Sequence, residues 1–395
     1  MRITEIDCHV LLQPAYDTTA ASSAQDDLVV EVHTDEGISG IGETDLNPWI
    51  ARSCIEAPGT HNMGLGLREM LIGQDALDVE GLWERLYVGS AMNGRRGAVI
   101  NAIGALDIAL HDIRGKALGR PCYEFLGGAV RDSVTPYASL QPETSSFEEY
   151  LESMVDWARR AVEAGFKAIK AEVTLEGPYA HTGMREPWDR STQVLSEVRS
   201  AIGPAVDLLV DVQYAFPDAD TAIAVMRDWE DFNLVFVETP LWPDDLDGYR
   251  RLAEEQSIPI ASGEWLTTRY EHLDLMDRGQ VAYVQPDIGR VGGLTEARRV
   301  CALAAERGRR ICPHLWKTEI SIAAALHLAA TAPNCDYIEF LPVELAESGL
   351  RKNLTDHRLL MVDGVMTLPN SPGLGVELNR DALAAYAAEA AAVSR

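Results

Sequence analysis

Seven ionisable residues recur through the middle of the chain at nearly regular intervals. Each ends a short segment rich in β-branched and apolar residues, which is the composition of a β-strand. The steps between them are 41, 27, 26, 23, 27 and 25 residues. They are Lys170, Asp211, Glu238, Glu264, Asp287, His314 and Glu339. A single acidic residue at a strand end is usually a helix cap or a surface charge, but seven in register indicate one shared site.

Three of these residues are carboxylates on consecutive predicted strands: Asp211, Glu238 and Glu264. Adjacent unpaired carboxylates repel one another, so the group needs a cation. Hard oxygen donors suit Mg²⁺, which keeps its other positions for water or substrate, and Mn²⁺ is the alternative ion. The competing interpretation is that one of the three is a salt-bridge partner. We predict a metal site.

Asp287 and His314 end the next two predicted strands. A carboxylate beside an imidazole fixes its tautomer and raises its basicity, so the pair has the composition of a general base with an orienting partner. The alternative is a buried structural histidine. The Pro313-His314 step at a strand end favours the catalytic role.

The elements that position these residues alternate between strand and helix patterns. Strand-like segments occur at 134–138, 167–172, 207–211, 234–238, 258–262, 281–285, 310–313 and 336–340, and helical segments separate most of them. Eight such units in roughly 230 residues fit a closed (β/α)8 barrel better than an open sheet. In such a barrel the strand ends meet at one mouth, where active residues lie.

The regions on either side of the barrel pattern have a different organisation. Residues 1–45 predict a small strand meander that contains a long polar loop at 14–27, and long loops of this kind are often lids. Apolar residues at steps of four and three predict a helix over 94–118. We predict an α+β domain at 1–128, the barrel at 129–364, and a tail at 365–395. The tail has a strand-like segment at Gly373–Leu378 and an Ala-rich helix, and we expect it to return to the N-terminal domain.

Composition excludes several classes of protein. The chain of 395 residues carries 34 basic and 61 acidic residues, a net charge of −27, which repels nucleic acid and anionic membrane surfaces. It has neither a run of 18 apolar residues nor a signal-peptide pattern at its start. Six scattered cysteines form no CxxC pair, which predicts reduced thiols in a cytoplasmic protein.

Several segments together resemble the mandelate racemase subgroup of the enolase superfamily over nearly the whole chain. They are Ala105–Asp112 with Gly115-Lys116, Val237–Pro240, Gly263-Glu264, Gln285–Asp287 with Gly292-Gly293, Pro313-His314 and Pro372–Glu377. The combination is specific, although no single segment is.

The resemblance implies an α+β capping domain over a modified TIM-type barrel, with Mg²⁺ on Asp211, Glu238 and Glu264. The metal would hold the substrate carboxylate and stabilise the enediolate that forms when the α-proton leaves. It further implies that Asp287 and His314 are the dyad and that Glu339 hydrogen-bonds the substrate carboxylate. Because such proteins are usually oligomers, a homodimer or homo-octamer is expected.

Two positions depart from the family pattern. Racemases of this subgroup typically carry Lys-x-Lys on the second barrel strand, with the second lysine as the other base. This chain has Lys170-Ala171-Glu172, and since residues two apart on a strand share a face, Glu172 should occupy that lysine's place. Either Glu172 forms an ion pair with Lys170, or it contacts a substrate hydroxyl. Both interpretations count against two-base racemisation.

The second departure is Gln213, two residues after Asp211, where the family usually has asparagine and some acid-sugar dehydratases have a histidine as a dedicated acid. Without that histidine, His314 is the candidate for removing the α-proton and then protonating the leaving β-hydroxyl on the same face. This one-base syn elimination is similar to the arrangement in rhamnonate dehydratases.

Further substrate contacts are predicted near the mouth. Trp316 and Lys317 directly follow His314, and Tyr16 and Asn47 lie on loops of the capping domain that are expected to cover the substrate. Gln213 and Glu172 complete this group. Trp265, which follows a predicted metal ligand, could form a wall.

The sequence therefore predicts a cytoplasmic Mg²⁺-dependent dehydratase that converts an aldonate-type sugar acid to a 2-keto-3-deoxy acid. The nearest alternative is a racemase or epimerase that uses Lys170 and His314 on opposite faces. A lactonising cycloisomerase is less favoured, because that branch usually carries a lysine on the sixth strand, where Asp287 stands. The last alternative is a non-catalytic binding protein on the same fold.

Overall fold

The structure is a computed structural model, which describes residues 1–18, 20, 22–142, 146–174, 188–342, 344–345 and 348–393. Its N-terminal part is an antiparallel sheet followed by four helices. Their bounds are β1 Ile3–Leu12, β2 Asp26–Thr34, β3 Ser39–Thr44, α1 Pro48–Glu56, α2 Leu67–Leu71, α3 Val79–Gly89 and α4 Ala98–Leu118. The strand order is β1-β2-β3, as expected of a meander.

Helix α4 packs against the sheet on one side and against the barrel on the other. Its predicted apolar positions, such as Ile103 and Leu106, are fully buried. The sheet approaches it so closely that a Cβ at Gly42 would lie 2.0 Å from the Ala105 carbonyl oxygen, so this position requires glycine. Gly119 ends the helix in the left-handed conformation, at φ 66°.

The barrel follows as eight alternating units. Its elements are β4 Ser133–Leu140, α5 Phe147–Glu163, β5 Ala168–Glu172, α6 Asp189–Ile202, β6 Asp207–Asp211, α7 Ala219–Arg227, β7 Leu234–Glu238, α8 Leu246–Glu255, β8 Ile260–Ser262, α9 Thr268–Asp274, β9 Tyr283–Val284, α10 Ile288–Val291, α11 Gly293–Glu306, β10 Arg310–Ile311, α12 Glu319–Thr331, β11 Tyr337–Phe340 and α13 Gly349–Asn353. Each strand overlaps a predicted one.

The eight barrel strands are parallel and follow chain order, with β11 next to β4. A single parallel bridge between Ile311 and Cys335 joins the last two strands. The barrel is therefore nearly closed, and the predicted fold class is confirmed. Because all strands run the same way, their carboxyl ends meet at one mouth.

The N-terminal elements sit directly on the barrel. Thr44 at the end of β3 donates a hydrogen bond to the Gly289 carbonyl at 2.7 Å, and the Trp83 indole donates to the Gly292 carbonyl at 2.7 Å. A Cβ at Gly104 of α4 would lie 2.5 Å from the Gly289 carbonyl oxygen. These contacts hold the end of β3 beside the strand end that carries Asp287.

The tail contains strand β12, Met366–Thr367, and helix α14, Arg380–Val393. Strand β12 pairs antiparallel with β4, whereas α14 packs on β1. The predicted strand at Gly373–Leu378 is wrong. Only single bridges form at Gly373 and Leu378, because Gly373 and Gly375 have φ values of 74° and 82°, which extended strands do not allow.

All six cysteines are free, in agreement with the predicted thiols. Among the described helices, none combines the length and apolar character that crossing a membrane requires.

Candidate active site

A cavity of about 80 Å³ opens at the carboxyl ends of the barrel strands, and we name it the reactive cavity. Five of the seven predicted residues line it, namely Lys170, Asp211, Glu264, His314 and Glu339. The other two, Glu238 and Asp287, lie behind it in direct contact with Lys170 and His314. The structure therefore brings all seven strand-end residues together.

His314 and Asp287 form the expected dyad. The Nδ1 atom of His314 lies 2.7 Å from Asp287 Oδ2, and its Nε2 lies 3.2 Å from Glu264 Oε2. Burial lowers the pKa of His314, but the nearby charges of Glu264 and Glu339 and the bond to Asp287 outweigh it and raise the pKa to about 9. The dyad thus directs one ring nitrogen toward Glu264 and the cavity and anchors the other.

Lys170 is held among carboxylates on three sides. Its Nζ lies 2.8 Å from Glu339 Oε1, 2.9 Å from Glu238 Oε1 and 3.3 Å from Asp211 Oδ2. Burial alone would lower the pKa of Lys170, but these charges raise it well above its ordinary value. The ammonium therefore donates hydrogen bonds to Asp211 and Glu238 and is paired by charge with Glu339. Glu339 also accepts a hydrogen bond from the Leu315 backbone at 3.0 Å.

The three predicted metal ligands are buried carboxylates whose negative charge a bound cation would offset. Asp211, Glu238 and Glu264 are all buried. Burial, opposed by Lys170, raises the pKa of Glu238 well above its ordinary value, and burial also raises that of Glu264. The Oε2 atom of Glu238 is buried and accepts no hydrogen bond from the described residues. An oxygen-only donor set with an orphaned carboxylate oxygen fits Mg²⁺.

The backbone around Asp211 is strained in a way that fixes this carboxylate. Its Oδ1 accepts hydrogen bonds from the Gln213 amide and the Thr239 hydroxyl, each at 2.8 Å. Both donor residues have positive φ, 41° for Gln213 and 46° for Thr239. Strain of this kind persists where the surrounding structure holds a functional group in place.

A second group of potential ligand atoms lies beside the dyad. Atoms of Asp45, Asp287 and His314 come within 4.8 Å of one another. Asp45, however, already pairs with Arg290 at 2.5 Å and with Lys317 at 3.2 Å. Two cations on one carboxylate disfavour a metal ion there, so the three strand-end carboxylates remain the better candidates.

Glu172 does not pair with Lys170 in the described structure. Its Oε1 accepts hydrogen bonds from Gln141 Nε2 at 2.7 Å and from the Thr174 hydroxyl at 3.3 Å. Glu172 is also absent from the lining of the reactive cavity, whereas Gln141 lines it. The ion-pair interpretation is therefore wrong, and a contact of Glu172 with a substrate hydroxyl stays a prediction.

Three predicted substrate contacts lie outside the reactive cavity. Lys317 is turned toward Asp26 and Asp45, because its Nζ bonds Asp26 Oδ1 at 2.8 Å and two backbone carbonyls. Asn47 caps α1 by accepting from the amides of the next residues in the helix. Tyr16 packs against the apolar cluster of the N-terminal domain. In the described structure these three side chains have contacts within the protein, and their contacts with substrate stay predictions.

Two predicted contacts do lie at the cavity. Gln213 lines it, and its Oε1 atom is buried without a hydrogen-bond partner among the described residues. Trp316 also lines it, and its indole donates to the Ser22 hydroxyl at 2.9 Å. Trp265 forms another wall, with Tyr214 against its ring at a centroid distance of 4.2 Å.

The predicted lid at 14–27 reaches the site through Ser22, which accepts from the Trp316 indole, and through Ser23, which lines the cavity. Residues 19 and 21 of this segment lie outside the described residues.

Sequence reasoning missed Arg290 and Gln141. Arg290 lines the cavity, and its guanidinium donates to Asp45 and to the Glu264 carbonyl. Gln141 directly follows β4, so the rule that selected seven strand ends would also have selected it. It was missed because the predicted strand stopped at residue 138, two residues before the observed end at Leu140.

Comparison with known proteins agrees with this geometry. Residues 4–127 match the model of the mandelate racemase / muconate lactonizing enzyme N-terminal domain, and residues 153–382 match the enolase C-terminal domain-like model. The chain belongs to this family of the enolase superfamily.

Individual relatives of this family member span nearly its whole length. A D-galactarolactone cycloisomerase of Agrobacterium fabrum is 32% identical over 98% of this chain and 99% of its own. A D-galactonate dehydratase of Pectobacterium atrosepticum is 30% identical over 90% of this chain and 89% of its own. The crystal structure of a racemase from Streptomyces coelicolor with bound magnesium superposes with a TM-score of 0.82 at 25% identity, covering 97% of this chain and 99% of that one.

This superfamily member is an enzyme, and its dehydratase relatives place it among the lyases. The non-catalytic alternative is thereby set aside.

Proposed function

We propose that this enzyme is a Mg²⁺-dependent dehydratase of an aldonate-type sugar acid. It removes the α-proton of the substrate and eliminates the β-hydroxyl to give a 2-keto-3-deoxy acid. The observation that carries the proposal is the dyad, in which Asp287 anchors Nδ1 of His314 and leaves Nε2 beside Glu264 at the reactive cavity.

One base serves both proton transfers in this reaction. The neutral form of His314, which a pKa of about 9 makes the minor form at pH 7, takes the C2 proton on Nε2, and the electron pair of the C2–H bond moves into the enediolate. The same Nε2 then gives its proton to the C3 hydroxyl as the C3–O bond breaks, so water leaves. The resulting enol tautomerises to the 2-keto acid. A single group on one side of the substrate implies syn elimination.

The position of Lys170 argues against a two-base racemase. A second base must offer a free lone pair to the α-carbon. Lys170 instead donates hydrogen bonds to Asp211 and Glu238 and forms an ion pair with Glu339, and these charges raise its pKa, so its nitrogen is held as an ammonium without a free lone pair. Lys170 is better suited to orient these carboxylates and to hold positive charge near the substrate carboxylate.

Asp211, Glu238 and Glu264 would hold the metal ion. When bound, Mg²⁺ supplies positive charge that stabilises the enediolate oxygens. Glu339, fixed by Lys170 and by the Leu315 amide, lies at the cavity where it can hydrogen-bond the substrate carboxylate when protonated or through water.

A cycloisomerase is the second candidate, favoured by the 32% identity to the D-galactarolactone enzyme. The same chemistry serves both functions. If the oxygen on the β-carbon belongs to a lactone ring, its elimination opens the ring and the leaving group stays attached, so the product is an isomer. Asp287 in place of a lysine is compatible with this route, because the base remains His314.

The test is a panel of aldonates, aldarates and their lactones, incubated with the purified protein and Mg²⁺. Formation of 2-keto acid is read with semicarbazide, and C2–H exchange is read in deuterium oxide. We expect 2-keto acid from at least one monocarboxylic sugar acid. Exchange with inversion at C2 and no loss of the β-substituent would instead establish the racemase.

Three further points stay predictions: the division into domains at residues 128 and 364, the cytoplasmic location, and the assembly into a homodimer or homo-octamer. Light scattering on the purified protein tests the last of these.

A further inference from the structure

A second cavity adjoins the reactive cavity, and two residues line both of them. These are Gln141 and Trp316. The second cavity, which we name the distal chamber, has a volume of about 370 Å³. Its other lining residues are Gln13, Asp17, Ala20, Ser22, Ala24, Gln25, Trp157, Leu341 and Leu345. The distal chamber therefore lies next to the place where the C1–C2 end of a substrate would meet His314, on the side of Gln141 and Trp316.

The walls of the distal chamber suit a hydroxylated group without charge. Amide and hydroxyl side chains alternate with aromatic and aliphatic ones, a combination that binds sugar hydroxyls and the C–H faces of a sugar chain. Asp17 is the one charged residue in this lining, considering the described residues alone. Its acidic side chain would repel a carboxylate.

Two cations beside the reactive cavity already have partners. Lys317, next to Trp316 in the chain, is buried and bonds Asp26, Asp45 and the Ser23 carbonyl. Arg290 lines only the reactive cavity and pairs with Asp45. A second carboxylate in the chamber would thus lose its hydration without gaining either of these two cations, which is costly.

Gln141 is oriented to receive a hydroxyl. Its Nε2 donates to Glu172 Oε1 at 2.7 Å, so its Oε1 points away from Glu172 as an acceptor. A carboxylate partner fixes this orientation because it can only accept. Glu172, in the place where related racemases carry a lysine, is therefore a positioning residue for Gln141.

We infer that the distal chamber binds the uncharged far end of the substrate, so that this enzyme selects sugar acids with a single carboxylate over aldarates. This inference rests on the proposed function and narrows its substrate class. The free hydroxymethyl end of an aldonate and the neutral ring of an aldarolactone both satisfy it, whereas an open dicarboxylate does not.

The decisive experiment compares substrates that differ only at the far end. The aldonate that is turned over fastest is paired with the aldarate made by oxidising its last carbon, for example D-galactonate with D-galactarate. We expect kcat/KM for the aldonate to exceed that for the aldarate by more than about tenfold. Equal or faster turnover of the aldarate overturns the inference but leaves the dehydratase in place. No turnover of any sugar acid overturns both.

A charge variant tests whether the chamber itself makes the selection. Leu345→Arg places a cation in its wall, and Leu345→Met is the uncharged control of similar size. The aldonate-to-aldarate ratio of kcat/KM should fall at least about tenfold in L345R and stay unchanged in L345M. If L345R does not fold, the aldonate-to-aldarate ratio of kcat/KM in the wild type still tests the inference. An unchanged ratio in a folded L345R would mean that the far end of the substrate does not bind in the distal chamber.

A length test probes Gln141. Gln141→Leu removes the amide acceptor, so KM should rise several-fold for a six-carbon aldonate while KM for glycerate, which has no far end, stays constant. Glu172→Gln should show the same dependence on substrate length in a weaker form. An equal effect on long and short acids would contradict a role in the distal chamber.

Discussion

At the scale of single residues, the chemistry of this site is decided by what each side chain contacts. Lys170 and His314 both have a nitrogen that could serve as a base once it is deprotonated, yet three carboxylates surround the Lys170 ammonium while His314 keeps Nε2 beside the cavity. Glu172 is likewise not a partner of Lys170, because Gln141 donates to it. Residue type therefore identifies the candidates, and the neighbours assign the roles.

His314→Asn should abolish dehydration without affecting the metal. The variant keeps a polar side chain but removes the proton-transferring nitrogen, so kcat should fall by about 10²–10⁴. Mg²⁺ affinity, measured by calorimetry, should remain within a few-fold of wild type. The matched control is His61→Asn, since His61 is an exposed residue away from the cavity. Dehydration by H314N at a tenth of the wild-type rate or faster would rule out the one-base mechanism.

Glu238→Gln should separate metal binding from stability. Loss of one carboxylate charge should weaken Mg²⁺ binding by at least about a hundredfold. In the presence of EDTA the variant should melt at or above the wild-type temperature, because the orphaned Oε2 charge no longer has to be buried. The exposed Glu254→Gln is the control. Unchanged Mg²⁺ affinity in E238Q would remove Glu238 from the ligand set.

At the scale of elements, the ends of short strands determine where the side chains of the active site lie. Strands β6 and β7 stop at Asp211 and Glu238 themselves, so the metal ligands are the last residues of their strands. Strand β3 of the N-terminal sheet ends one residue before Asp45, which pairs with Arg290 behind the dyad. The two sheets therefore meet at the site through their ends.

Helix α14 is tied to the N-terminal sheet by Arg380, whose guanidinium donates to Glu31 Oε1 at 2.6 Å and to Oε2 at 2.7 Å. Arg380→Met should lower the free energy of unfolding by about 2 kcal/mol, because it leaves the buried Glu31 with fewer donors. The free energy of unfolding of Arg380→Lys should lie between that of the wild type and that of Arg380→Met. Urea unfolding measures the difference.

The same pair predicts a dependence on pH. Burial raises the pKa of Glu31, but the bonds from His9 and Arg380 outweigh it and lower the pKa to about 2. A lowered carboxylate pKa adds stability at neutral pH that is lost on acidification. The difference between wild type and R380M should thus be complete above the ordinary value of 4.5 and vanish toward pH 2. A difference that grows on acidification would contradict the ion pair.

At the scale of the whole molecule, charge and the contact between the two parts dominate. The N-terminal part meets the barrel through α4, β3 and the Trp83–Gly292 bond. The active site lies where these parts join, so its walls include Ser23 as well as the barrel strand ends. The net charge of −27 surrounds this site with a field that repels anions.

This charge predicts that salt stabilises the protein. Raising NaCl from about 10 mM to about 150 mM shortens the Debye length from about 30 Å to about 8 Å, which screens the repulsion among acidic residues. The melting temperature at pH 7.5 in EDTA should rise by about 3 °C. The same series nearer the isoelectric point of about 4.6 is the control and should show a smaller change. A melting temperature that falls with salt at pH 7.5 would mean that ion pairs outweigh the net charge.

Patterns along the chain were enough to predict the barrel, the order of its strands and the seven strand-end residues. These features are local, because strand composition and helical periodicity depend on neighbours along the chain, and parallel alternation then puts every strand end at one mouth. The dyad residues were therefore predicted at positions that form a hydrogen bond in the structure, whereas the metal site on the three carboxylates stays a prediction.

The pairing of groups across the mouth, in contrast, became visible only in three dimensions. Lys170 bonds residues 41, 68 and 169 positions away, and Arg290 bonds Asp45 across 245 positions. No pattern along the chain encodes such a choice among several acids of similar character. Lys317 points toward Asp26 and Asp45 for the same reason, since a buried ammonium must find carboxylates, and packing fixes which ones lie within reach.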